Sequence, residues 1–196
     1  MSSRSQMREV QILAELASLK KTDDSRHKCF VSYHVADLLE VETFVTDFGS
    51  EFIPRSVGVT EEDDFVESND TDYIKRRIRE KYLADSTVTI VLLGAGTWGR
   101  KFVDWEISSS LRNDAVNRRS GLLVLPLPSM NNSAHLPDRV GDNWVKNNEA
   151  ASYAYYRSYP ATLESLRTSI ESAFQARSAK ATLVDNSRAL RQRNST

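Results

Sequence analysis

The chain holds a single cysteine, Cys29, which excludes an internal disulfide framework and fits a reducing compartment. Neither sign of charge is in excess: 26 Lys and Arg face 27 Asp and Glu, for a formal net charge of −1. The electrostatic footprint of a nucleic-acid binder is therefore missing. No apolar run approaches the ~18 residues of a membrane span, and Glu9 and Glu15 break up any apolar stretch that a secretory leader would need. His27, His34 and His135 are too scattered to suggest a metal site, and no C-x-x-C, H-E-x-x-H or D-x-D-x-D-G pattern occurs, so no metal is expected. The expectation is a cytoplasmic protein with neither nucleic acid nor membrane as a partner.

What is present is an ordinary globular composition, 40% hydrophobic and 27% charged over 196 residues, enough for one domain with appendages. Residues 1–26 read as an N-terminal helix and linker, with Val10, Leu13, Leu16, Ala17 and Leu19 at helical spacing. Residues 27–178 read as the domain, and 179–196 as a polar tail expected to be disordered. Inside the domain, Lys28–Tyr33 predicts a first strand and Asp37–Phe48 a helix stopped by Gly49. Phe52-Ile53 and Val57–Val59 suggest a second strand that Pro54 interrupts or ends. Asp70 caps a helix through Leu83 with Ile74, Ile78 and Tyr82 on its core side and Lys75, Arg76, Arg77 and Arg79 mostly on the wet side. Thr87–Leu93 and Leu122–Leu127 are uncharged strands, as strands buried on both faces should be. One short strand is expected in the loop-rich 129–160, and Leu163, Leu166, Ile170 and Phe174 mark a closing helix. Strands alternating with helices imply a parallel sheet covered on both faces.

One carboxylate is out of place. At roughly 100° per residue, Phe102, Val103, Ile107 and Leu111 gather on one half of the helix after the third strand, and Glu106 projects between Phe102 and Val103. A buried carboxylate must be paired, protonated or used, because an idle buried charge is costly. Ligands of parallel α/β sheets sit beyond the carboxyl ends of the strands, which brings Ser32, Tyr33, His34 and Asp37, the loop 54–70 and Gly94–Glu106 into consideration. Ser32-Tyr33-His34 with Asp37 reads either as a capped helix start or as a pocket wall facing Glu106. Gly94-Ala-Gly96-Thr-Trp-Gly99 matches G-x-G-x-x-G, yet it follows the third strand and lacks the later acidic residue of a ribose-binding site, so it reads as a tight turn. Glu61, Glu62, Asp63, Asp64 and Glu67 read as a solvated loop, with a lid or a partner contact as the alternative. Trp98 and Trp105 are packing residues or ring-stacking ones. A phospho-acceptor receiver domain would need a carboxylate where the third strand ends in Leu92-Leu93-Gly94.

Those residues carry a resemblance. Phe30-Val31-Ser32-Tyr33-His34 with Asp37, then Asp85–Gly94, then Thr97 and Arg100–Ile107 resemble a TIR-like domain, and in particular the TIR-like subunit of Thoeris anti-phage defence systems. The resemblance spans about 27–178 and is most specific over 70–111. It implies a TIR/flavodoxin-like three-layer α/β domain with a central parallel sheet of about five strands. It also implies an NAD+ glycohydrolase or ADP-ribosyl cyclase type of enzyme that cleaves the nicotinamide–ribose bond of NAD+ with no cofactor beyond that substrate. Glu106 falls on the family's catalytic glutamate. Tyr33, His34, Thr97, Trp98 and Phe102 would line the pocket, with Ser32 and Asp37 near its polar edge. Phe102 stands where relatives usually carry tryptophan. The product would be an ADP-ribose-type nucleotide, cyclic or linear, that reaches a partner effector by diffusion, and the chain could self-assemble.

Two other readings stay open at this level. The domain could be a non-catalytic assembly module, which a buried Glu106 paired with Arg or Lys would favour. It could also be a flavodoxin-like nucleotide-binding sensor.

Overall fold

The computed structural model describes residues 2–20, 25–114, 118–131 and 135–195. A five-stranded, all-parallel sheet runs β2-β1-β3-β4-β5, with β1 at Lys28–Ser32, β2 at Ile53–Arg55, β3 at Val88–Leu93, β4 at Gly121–Pro126 and β5 at Tyr155–Tyr156. β3 and β4 are buried along their whole length, because helices cover both faces of a parallel sheet and leave no wet side. The helices are α1 (Ser3–Ser18), α2 (Leu38–Phe48), α3 (Thr71–Lys81), α4 (Lys101–Leu111), α5 (Asp138–Asp142) and α6 (Leu163–Ala179). Right-handed crossovers set α2 on one face and α3 and α4 on the other, since β2 lies to one side of β1 and β3 to the other.

β2 differs from its expectation: it contains Pro54, and Val57–Val59 is not strand. Pro54 is tolerated because β2 is the edge of the sheet, where a missing N–H breaks no ladder. α1 packs on α2 and β2, but through Met7, Val10, Ala14 and Ala17, leaving Leu16 58% and Leu19 76% exposed. The alanines face inward because the chain at Gly49 passes close to Ala14 and Ala17. α3 buries Ile74 and Ile78 as expected, but Arg79 is buried too. Its guanidinium donates to Ser120 Oγ at 3.0 Å and to the Arg118 carbonyl, so the long side chain caps the approach to β4 instead of facing water.

The segment 185–195 is the largest departure from expectation. Polar composition suggests disorder, yet these residues lie along α4 and α5. Asn186 and Ser108 exchange hydrogen bonds, Arg139 Nη2 donates to the Ala189 carbonyl, and the Arg191 N–H donates to Asp104 Oδ2. Leu190 is buried in the same apolar cluster as Trp105 and Phe30. The partners are polar side chains remote in sequence, which composition does not register. Asp104 and the fully buried Arg139 form the hub of this layer, with Nε–Oδ1 at 2.9 Å.

Candidate functional site

The loops after β1 and β3 leave the sheet side by side, because those strands are neighbours, while their following helices go to opposite faces. Such a switch point opens a crevice at the carboxyl edge of an α/β sheet. Glu106, in the second turn of α4, projects into it and is 3% exposed. Its Oε2 accepts from Ser32 Oγ at 2.6 Å, and its Oε1 accepts from the Val59 N–H at 2.8 Å. Among the described residues no Lys or Arg forms an ion pair with it. Burial pushes its carboxyl group up to about 7 against the two donated hydrogen bonds, which favour the ionised form, and the charge of Asp63 adds to the rise. This carboxylate is thus held at fixed geometry and poised between its two protonation states near neutrality.

A cavity of about 270 Å³ opens in front of it, walled by Tyr33, His34, Phe102, Arg100, Glu106 and Asn194. The Tyr33 hydroxyl is buried, with no hydrogen-bond partner among the described residues; a buried hydroxyl left without one is the kind of group a ligand satisfies. Burial and the neighbouring Arg100 guanidinium hold His34 below the usual histidine range, against the pull of Asp37. Phe102 meets Trp105 edge-on with ring centroids 5.7 Å apart, presenting an apolar wall beside the carboxylate.

The acidic loop is neither wholly solvated nor free. Glu61, Glu62, Asp64 and Glu67 are exposed, but Val59, Asp63, Phe65 and Val66 are buried. Asp63 ties the segment down. Its Oδ1 accepts from Lys81 Nζ and Tyr82 Oη, each at 2.6 Å, and its Oδ2 from the Thr60 N–H at 2.9 Å, with Arg4 Nη2 at 3.1 Å. Burial pushes the Asp63 carboxyl up, and those donors together outweigh it and hold it below the usual range. Four donors from α1, α3 and the loop itself thereby fix the Val59 N–H against Glu106.

The predicted site residues divide. Glu106, Ser32, Tyr33, His34 and Phe102 come together at the cavity. Thr97 does not: it is fully buried, its Oγ1 accepting the Gly94 N–H at 3.0 Å and donating to Asp37 Oδ2 at 3.1 Å. Thr97 and Asp37 hold the glycine turn together, where a Cβ at Gly94 would fall 2.1 Å from the Asp37 carboxylate. Asp37 makes no side-chain cap to α2. Trp98 stacks on His135 at 4.4 Å, away from the cavity walls. Asn194 and, from α1, Ser3 and Met7 lie outside every segment the sequence brought into consideration, and Val59 and Arg100 lie within 54–70 and 94–106 without being singled out for the pocket. Gly58 between two valines was the one local sign of a close approach; the rest meet only through the fold.

A five-stranded parallel sheet in this order, with a buried glutamate on the helix after β3 facing the β1 loop, defines a TIR-like α/β domain. The family described as Thoeris protein ThsB, TIR-like domain, matches residues 30–132, just over half of the chain, and the chain belongs to that family. Membership places it in Thoeris defence, with a partner effector and an NAD-related substrate in the general sense. No curated protein matches the chain. Among the described residues no helix is long and apolar enough to cross a membrane.

Proposed function

We propose that this protein cleaves the nicotinamide–ribose bond of NAD+ and makes an ADP-ribose-type, in particular cyclic, nucleotide that activates the effector. The observation that carries this reading is Glu106: a buried carboxylate in the cavity wall, fixed by Ser32 and the Val59 N–H and with no cationic partner among the described residues. A carboxylate neutralised by Arg or Lys would suit an assembly module; one held by neutral donors and ionising near neutrality has its charge free for a ligand.

In the proposed reaction the C1′–N bond breaks with its electron pair leaving on nicotinamide, which needs no added proton to depart as the neutral base. The ribose C1′ becomes oxocarbenium-like, and Glu106 stabilises that charge or orients the ribose hydroxyls. Tyr33 offers its hydroxyl, and Phe102 packs on the departing ring. Capture by water gives ADP-ribose and a proton; capture by a hydroxyl or ring nitrogen of the same molecule gives a form of cyclic ADP-ribose, also with release of a proton. Removal of one preorganised electrostatic group lowers turnover by roughly 10²–10³-fold, so Glu106→Gln is expected to lose at least that much nicotinamide release while keeping its circular dichroism spectrum. Unchanged release from folded Glu106→Gln overturns the assignment.

A further inference from the structure

We propose that residues 192–195 are a strap that closes the Glu106 cavity and must lift to admit ligand. The segment lies outside the residues that match the family, 30–132. Its root is firm: Leu190 is buried, the Arg191 carbonyl accepts from Trp105 Nε1 at 2.8 Å, and the Arg191 N–H is bound to Asp104. Beyond Arg191 the character changes. Gln192, Arg193 and Asn194 are exposed and belong to no helix or strand. The strap touches down again at the mouth of the cavity. Asn194 Oδ1 accepts the Lys101 N–H at 2.9 Å, at the start of the helix that bears Glu106, and the Ser195 N–H donates to the Gly99 carbonyl at 2.8 Å. It lies flush on the turn, since a Cβ at Gly99 would fall 2.8 Å from the Ser195 carbonyl oxygen. Asn194 is itself part of the cavity wall.

Two features favour a cover over a permanent wall. The cavity's volume of about 270 Å³ falls below the roughly 300–1,000 Å³ of pockets that take drug-sized ligands, and a dinucleotide is larger than those. The distal contacts on the rest of the protein, moreover, are one hydrogen bond each from Asn194 and Ser195, with the Arg191 guanidinium bracing Ser195 Oγ at 2.6 Å from within the segment. Leu190 at the root, by contrast, is buried, so the segment can hinge after Arg191 without disturbing the core. Asn194 also occupies the free donor at the start of α4, where a ligand anion would compete for it. The gating of NAD+ rests on the function proposed above; the covering of the cavity does not.

Two readouts separate them. A cysteine is placed in the cavity wall by Val103→Cys or, as a second position, Met7→Cys, both buried lining residues; the native Cys29 is fully buried and silent. The strap is released by Asn194→Ala with Ser195→Pro, which removes both touchdown bonds and the Arg191 Nη1 bond to Ser195 Oγ. Release is expected to speed labelling by a small thiol reagent at least ~5-fold, with unchanged circular dichroism, and to raise kcat/KM for NAD+ in the protein without the added cysteine. Unchanged labelling at both positions overturns the strap. Faster labelling with lower turnover also overturns it, because the segment is then a wall the ligand needs. Faster labelling with no turnover in any form upholds the cover and rejects the NAD+ reading.

Discussion

Gly58 and Glu106 are packed so closely that a Cβ at position 58 would fall 2.1 Å from Glu106 Oε1. The neighbouring Val59 N–H donates to that same oxygen, so the glycine is what lets the loop backbone reach the carboxylate. The carboxylate cannot simply swing aside, because Ser32 holds its other oxygen. Gly58→Ala is therefore expected to break at least one of these bonds and lower NAD+ turnover by roughly tenfold or more. Steady-state kinetics checks it, with Val57→Ala as the control; equal activity in Gly58→Ala and wild type would contradict the proposed contact.

Glu106 also makes stability depend on pH with a definite sign. Its carboxyl group is raised from an ordinary 4.5 to about 7, so over that window the unfolded chain gives up its proton before the folded protein does. Stability is full below 4.5 and falls as pH rises to about 7. Linkage converts that displacement to on the order of 3 kcal/mol. Glu106→Gln resembles the protonated acid and escapes the loss. Denaturant melts are expected to show the variant equal to wild type near pH 4.5 and more stable near pH 8; a constant difference across that range contradicts a raised acid. Turnover needs the ionised form, so kcat/KM is expected to rise with pH through about 7.

Asp63 works in the opposite sense. Held below the usual range, it contributes stability above an ordinary carboxyl value that is lost as pH falls below it. Asp63→Ala leaves Lys81, Tyr82 and the Thr60 N–H without this acceptor and removes one of the partners of Arg4, which keeps Thr60 Oγ1 and Glu62. A loss of about 2–4 kcal/mol is expected, with a shallower acid limb in the stability profile and a raised KM, because Val59 is no longer fixed beside Glu106.

Arg139 and Asp104 supply a third stability test. Both are buried, and Arg139 is fully so. Removing one partner strands the other charge, so Arg139→Ala is expected to lose about 3–5 kcal/mol. The double variant Arg139→Met with Asp104→Leu is expected to lose less than the two single changes added together. Additive losses in chemical denaturation contradict a paired interaction.

The fold was legible where period and burial speak locally. Thr87–Leu93 and Leu122–Leu127 announce buried parallel strands because nothing polar breaks them, and β3 and β4 lie there. Glu106 was legible because a carboxylate between Phe102 and Val103 breaks the pattern of its own helix. Its partners were less so. Ser32 follows from the end of β1, but a backbone N–H such as that of Val59 has no signature in residue type. Thr97 and Trp98 show the reverse error: lying in a loop at the right edge of the sheet does not aim a side chain into the crevice, and their side chains serve Asp37 and His135. The segment 185–195 escaped because its order comes from Arg139, Asp104 and Trp105, far away in sequence.

The central claim is tested most directly by incubating concentrated protein with NAD+ and following the products by chromatography with mass detection, wild type beside Glu106→Gln. Nicotinamide release with a product of ADP-ribose or cyclic ADP-ribose mass is expected from wild type, and at least a ~100-fold loss in the variant. Equal NAD+ consumption by the two folded proteins would contradict it.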